Sequence, residues 1–157
     1  MNRVKSTVFL GVLLSGLTLA APSLTLTLLK VGSVTEGGKA REVLSPASSV
    51  KPGDLLVQRA VLNSEKALVS GHIVVPVPKN TRYLANSALT VPGLVSDFSA
   101  DDGKTFSEAP TRTVKVEGGT QTKVVPVPQD EYTTVRWTIE TVPAGASTTV
   151  SFRVVVN

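Results

Sequence analysis

Two runs near the end of the chain alternate apolar and polar residues with a period of two. In YTTVRWTIE, residues 132–140, Val135, Trp137 and Ile139 share one face and Arg136, Thr138 and Glu140 the other. In STTVSFRVVV, residues 147–156, Val150, Phe152, Val154 and Val156 align in the same way. A helix would scatter these side chains around its axis, whereas a pleated strand gathers them on one side. Burial of each is worth about 1.5–3 kcal/mol before chain entropy is subtracted. The two runs therefore predict a pair of core strands joined through the turn VPAG. The same period recurs upstream. Leu24, Leu26 and Leu28 alternate with Thr25 and Thr27, DLLVQRAVLN follows the turn Lys51-Pro52-Gly53-Asp54, and GHIVVPV sets Ile73, Val75 and Val77 on one face. RTVKVEGGTQTKVVPV reads as a hairpin turning at Gly118-Gly119. About eight to ten short strands separated by Gly, Pro, Asn and Asp predict an all-β chain, an antiparallel β-sandwich.

VVPVP occurs twice, at residues 74–78 and 124–128, followed by Lys79-Asn80 in one copy and Gln129-Asp130 in the other. The likeness does not extend into NTRYLANSA and DEYTTVRWT, so it is not a duplicated domain. Pro76, Pro78, Pro126 and Pro128 have no N–H to give a ladder, which confines both copies to sheet edges or strand ends. Edge prolines also oppose sheet-to-sheet aggregation. A proline-rich ligand is the functional alternative, and VPVP lacks its usual spacing.

The chain opens with Arg3 and Lys5, then an apolar run from Val8 to Leu19, then Thr18 and Ala20 as small residues before Ala21. This is the pattern of a secretory signal peptide over residues 1–20, with an uncleaved N-terminal anchor as the alternative. Its removal predicts an exported protein, periplasmic or at the cell surface, with no integral membrane span. The chain contains no cysteine, hence no acylation site and no disulfide framework. Of the sixteen basic residues, Arg3 and Lys5 belong to the leader, and fourteen then stand against twelve acidic ones, a net charge of +2. A nucleic-acid partner is not expected from such a balance. The lysines after the leader are scattered among strands and turns, as on a solvated surface.

SADDGKTF is the sharpest local motif. Ser99, Asp101, Gly103, Thr105 and Phe106 resemble the Asp-box hairpin of secreted β-proteins. Asp101 can accept N–H groups across the turn, Gly103 can take a positive φ, and Phe106 can pack beneath the loop. The resemblance implies a structural hairpin. The same stretch sets Asp97, Ser99, Asp101 and Glu108 at positions 1, 3, 5 and 12 of a calcium loop, but position 6, which should be glycine, is Asp102. Asp97, Asp101, Asp102 and Glu108 are thus the candidate metal ligands. His72 is the sole histidine, with neither a nucleophile elbow nor further zinc ligands to join it. No catalytic residue and no cofactor site is expected. Trp137 belongs with the core face, leaving Tyr83 and Tyr132 as aromatics that an exposed sugar-binding surface would use.

The order of Val50-Lys51-Pro52-Gly53-Asp54, Leu62-Asn63-Ser64, VPVPKNTRYLANSA, SADDGKTF, YTTVRWTIE and VPAGASTTVSFRVVV resembles the conserved-repeat domain of bacterial surface proteins known as domain of unknown function eleven (DUF11). The likeness spans about residues 50–156. It implies an immunoglobulin-like sandwich over residues 50–157, exported and without known catalysis. Members often occur in tandem, whereas one copy stands here. Residues 21–49 lie outside the likeness, either adding strands to the sandwich or forming the surface that meets a partner. The resulting expectation is a non-catalytic cell-envelope protein, a structural or accessory subunit that binds a protein partner, with Leu24, Leu26 and Leu28 as the edge offered to it. The alternative is a secreted calcium- or glycan-binding module using the loop from Asp97 to Glu108.

Overall fold

The computed structural model describes residues 21–89, 93–118 and 120–157; the leader, residues 1–20, and Gly119 of the expected hairpin turn lie outside the described residues. Ten strands follow one another: β1 (Ser23–Glu36), β2 (Lys39–Pro46), β3 (Leu55–Asn63), β4 (Leu68–Pro76), β5 (Thr81–Tyr83), β6 (Leu94–Ser99), β7 (Thr111–Lys115), β8 (Thr122–Pro126), β9 (Thr134–Val142) and β10 (Ser147–Val156). One sheet has the order β2-β1-β3-β10-β5, a second β4-β9-β6, and β7 pairs with β8 alone. Every ladder is antiparallel. The fold is an all-β sandwich.

The period-two runs supply its interior. Val135, Trp137 and Ile139 of β9 meet Val150, Phe152 and Val154 of β10, all at most 3% exposed. The Trp137 and Phe152 rings stack with centroids 6.2 Å apart, and the indole N–H donates to the Leu89 carbonyl at 3.3 Å. Tyr83 and Tyr132 are not surface aromatics. They are 1% and 6% exposed and cluster with Phe98 and Phe152, because a large ring gains more from burial than its hydroxyl loses once that hydroxyl is hydrogen-bonded. The Tyr83 hydroxyl accepts the Ala88 N–H at 3.0 Å. Burial, followed by the neighbouring Tyr83, pushes the Tyr132 hydroxyl pKa up. Neither ring presents a platform for a sugar.

The repeated phrase is one structural solution used twice. Pro76 and Pro126 are the last residues of β4 and β8, each an edge strand of its sheet. The valine between each pair of prolines keeps its N–H and spends it on a loop carbonyl: Val77 to Thr133 at 2.8 Å, Val127 to Pro110 at 2.9 Å. Both valines pack into the core. The second proline then opens a turn in each copy, the Pro78 carbonyl accepting from the Thr81 N–H and the Pro128 carbonyl from the Glu131 N–H. The two polar residues that follow each copy are the corners of these turns.

β1 lies in the first sheet, in register with β3 from Ser23 opposite Asn63 to Lys30 opposite Leu56. Residues from Leu29 to Glu36 pair with β2 on the other side. The segment 21–49 therefore adds two strands to the sheet, and β1 is not free to be donated elsewhere.

Candidate functional site

The motif SADDGKTF forms a closed hairpin at the end of β6. Its centre is Asp101. Ser99, 0% exposed, donates its hydroxyl to Asp101 Oδ1 at 2.7 Å, and the same oxygen accepts the N–H groups of Lys104 and Thr105. The Thr105 hydroxyl donates to Oδ2 at 2.7 Å. Ser99 Oγ accepts in return from the N–H of Gly103 at 2.9 Å. Gly103 has φ +81°, a conformation costly for any side chain, and a Cβ there would lie 3.7 Å from the Phe106 ring. Asp102 also takes a positive φ, and its N–H donates to the Thr133 hydroxyl.

Phe106 carries the loop onto the second sheet. The Arg136 guanidinium of β9 lies over its ring, 4.2 Å from the centroid, and is gripped from the other side by Asp97 of β6. Arg136 Nε donates to Asp97 Oδ1 at 2.9 Å while a terminal nitrogen donates to Oδ2. Asp97 and Arg136 stand directly opposite in the ladder, so the strand register itself creates this fork-to-fork pair. The pair raises the Arg136 pKa further above its ordinary value.

The four carboxylates proposed for calcium are thus placed in different roles. Asp97 is bound to Arg136, Asp101 is consumed by its own turn, and Asp102 and Glu108 are exposed. Among the described residues no three His, Asp or Glu side chains are grouped to hold a metal ion. A cation here would have to displace an ion pair and a ring of hydrogen bonds already made. Millimolar calcium is therefore expected to leave the thermal midpoint unchanged; a midpoint that rises with calcium, and no longer does so in Asp101→Ala, would reverse this reading.

The Ser99 hydroxyl, then the Thr105 N–H and hydroxyl, hold the Asp101 carboxyl well below the usual carboxylate range. Asp54 is lowered too, chiefly by Lys30, whose Nζ lies 2.6 Å from Oδ2, and then by the Lys51 N–H. Both folded-state values lie below the unfolded one of about 3.9, so the unfolded chain binds more protons as acid is added. The stability these groups contribute is complete above that value and is lost as pH falls beneath it. Asp101→Ala is expected to lower the melting midpoint by roughly 5 °C at pH 7. The same variant should show a shallower loss of stability below pH about 4. Circular-dichroism melts across pH measure both, and an unchanged acid slope would remove Asp101 from this role.

A second feature lies on the far side of the sandwich. β1 pairs with β3 along Ser23–Lys30, but β2 covers its opposite edge only from Leu29 onward. Leu24, Leu26 and Leu28 point to the interior side of the sheet. Leu28 packs against the core, whereas Leu24 and Leu26 are 43% and 46% exposed. Nearby, a cleft of about 220 Å³ is lined by Pro22, Leu62, Leu68, Val69, His72 and Ile139. His72 itself sits on the outward face of β4, its Nδ1 3.2 Å from the Thr138 hydroxyl, and among the described residues it belongs to no group of three potential metal ligands.

The chain matches no protein-family model, no curated protein and no solved structure. Among the described residues no helix is long and apolar enough to cross a membrane, which leaves strand-built spans unaddressed.

Among the described residues, four ion pairs had no local signal in the sequence: Arg112 with Glu131, Arg136 with Asp97, Lys30 with Asp54 and Arg153 with Glu42. The last two join residues 24 and 111 positions apart. The PGD turn marks where Asp54 sits. Nothing in the sequence marks its partner.

Proposed function

We propose that this chain is a non-catalytic, exported protein of the cell envelope that acts as a structural or accessory subunit by docking a protein partner along a sheet edge. The single observation that supports the reading is the uncovered edge of β1, where Leu24 and Leu26 remain exposed beside backbone that β2 does not pair. An extended segment laid there gains ladder hydrogen bonds from the backbone and apolar contact from alternate side chains. The edge accepts a strand and does not donate one, since β1 is itself held by β3. Export rests on the leader pattern of residues 1–20, and the immunoglobulin-like relationship to the DUF11 domains rests on the motif order of residues 50–156.

Native recovery of the tagged full chain from gently solubilised envelope, followed by mass measurement, tests this. A discrete assembly well above monomer mass is expected, and Leu24→Lys with Leu26→Lys should abolish it while leaving the melt nearly unchanged, since both side chains are exposed. Recovery at monomer mass, or an assembly indifferent to those substitutions, would overturn the reading.

A further inference from the structure

The β1–β2 hairpin extends beyond the sandwich. From Val31 to Glu36, β1 has lost β3 and pairs with β2 alone, and residues 33–42 are exposed. Among the described residues, one side-chain ion pair returns this arm to the body. Arg153 of β10 donates to both carboxylate oxygens of Glu42 in β2, at 3.0 and 2.8 Å.

A flat sheet does not permit that contact. Arg153 stands opposite Val57, Val57 opposite Leu29, and Leu29 opposite Pro46, whereas Glu42 lies four residues farther along β2. Three strand spacings across and four residues along would separate the two Cα atoms by about 19 Å. An arginine and a glutamate cannot reach across that distance, so the arm curls back over the outward face of the sheet. Val57, flanked by Leu29 and Arg153 on the same face, points away from the second sheet and is 7% exposed.

We propose that the β1–β2 hairpin is a strap, latched across the outward face of the five-stranded sheet by Glu42 and Arg153, and that release of this pair swings the arm away and uncovers the face around Leu29 and Val57. The side chains of the pair are 37% and 45% exposed, which makes the latch weak and sensitive to salt. Among the described residues no other side-chain hydrogen bond ties the arm beyond Lys30 to the rest of the chain. The pair Arg41 with Glu36 lies within the hairpin and moves with it. Gly32, near the end of the shared ladder with β3, carries no Cβ to stiffen the bend. This inference rests on the fold alone and is independent of the partner reading above.

The absence of cysteine allows the arm to be watched directly. Spin labels on Thr35→Cys in the arm and Thr149→Cys in β10, in the full chain, report their separation by double electron–electron resonance. A single short distance is expected for the otherwise unaltered protein. Glu42→Arg and Arg153→Glu should each raise the fraction at longer distance about five-fold, and the doubly swapped protein should return to the short distance. One-molar salt should open the unaltered protein in the same direction. Glu42→Gln, which removes the charge with little change of shape, keeps the test readable if Arg153→Glu disturbs the sheet. Distances unchanged in Glu42→Gln and in both reversals, or a swapped protein as open as the single reversals, would overturn the latch.

Discussion

Replacing Trp137 by alanine is expected to remove about 3–5 kcal/mol of folding stability, the usual cost of deleting a fully buried aromatic. Trp137 is 0% exposed at the centre of β9, stacked on Phe152 of the opposite sheet. Its loss leaves a cavity between the sheets and strands the Leu89 carbonyl, which otherwise accepts the indole N–H. The stability of a domain of this size is about 5–15 kcal/mol, so the variant should sit near the edge of folding at physiological temperature. Trp137→Phe retains most of the packing and should cost less. Urea unfolding followed by far-ultraviolet circular dichroism separates the two, with a lowered midpoint and an unchanged slope as the expected signature. A loss below 1 kcal/mol for the alanine variant would mean that the sheets close over the site and that the interior is far less closely packed than its geometry shows.

Deleting residues 22–31 is expected to abolish cooperative folding. The deletion removes the whole ladder between β1 and β3, the core contact of Leu28, and the ion pair of Lys30 with Asp54. It also detaches what remains of the β1–β2 hairpin from the sheet and turns β3 into an exposed apolar edge, which invites aggregation. The deletion product should therefore be insoluble or melt without a transition. A soluble product with a sharp melt would show that β1 is an accessory strand and would restore the possibility that it is donated to a partner.

Much of this architecture was legible before any coordinates. Period-two alternation in YTTVRWTIE and STTVSFRVVV named the core face residue by residue, because side-chain direction in a strand depends only on position parity. The prolines of VVPVP marked edge strands, because a missing N–H is a local fact. The Asp101 hairpin was legible for the same reason, its hydrogen-bonding partners lying within four residues. The sequence left Tyr83 and Tyr132 open as aromatics that could be exposed, and the structure buries both. Their burial depends on rings brought from β6 and β10, and no short window of sequence contains that information.

The sequence by itself determined which residues alternate, where strands stop, and how the Asp101 turn closes. Those features follow from backbone sterics, proline's missing donor and hydrogen bonds of short span. Only the tertiary structure decided which strands become neighbours. β3 lies between β1 and β10, Arg136 faces Asp97, and Glu42 reaches Arg153 across two intervening strands. Each of those pairings is chosen by competition among many strands of similar pattern, and it is settled by the joint burial of one shared core, which no single segment encodes.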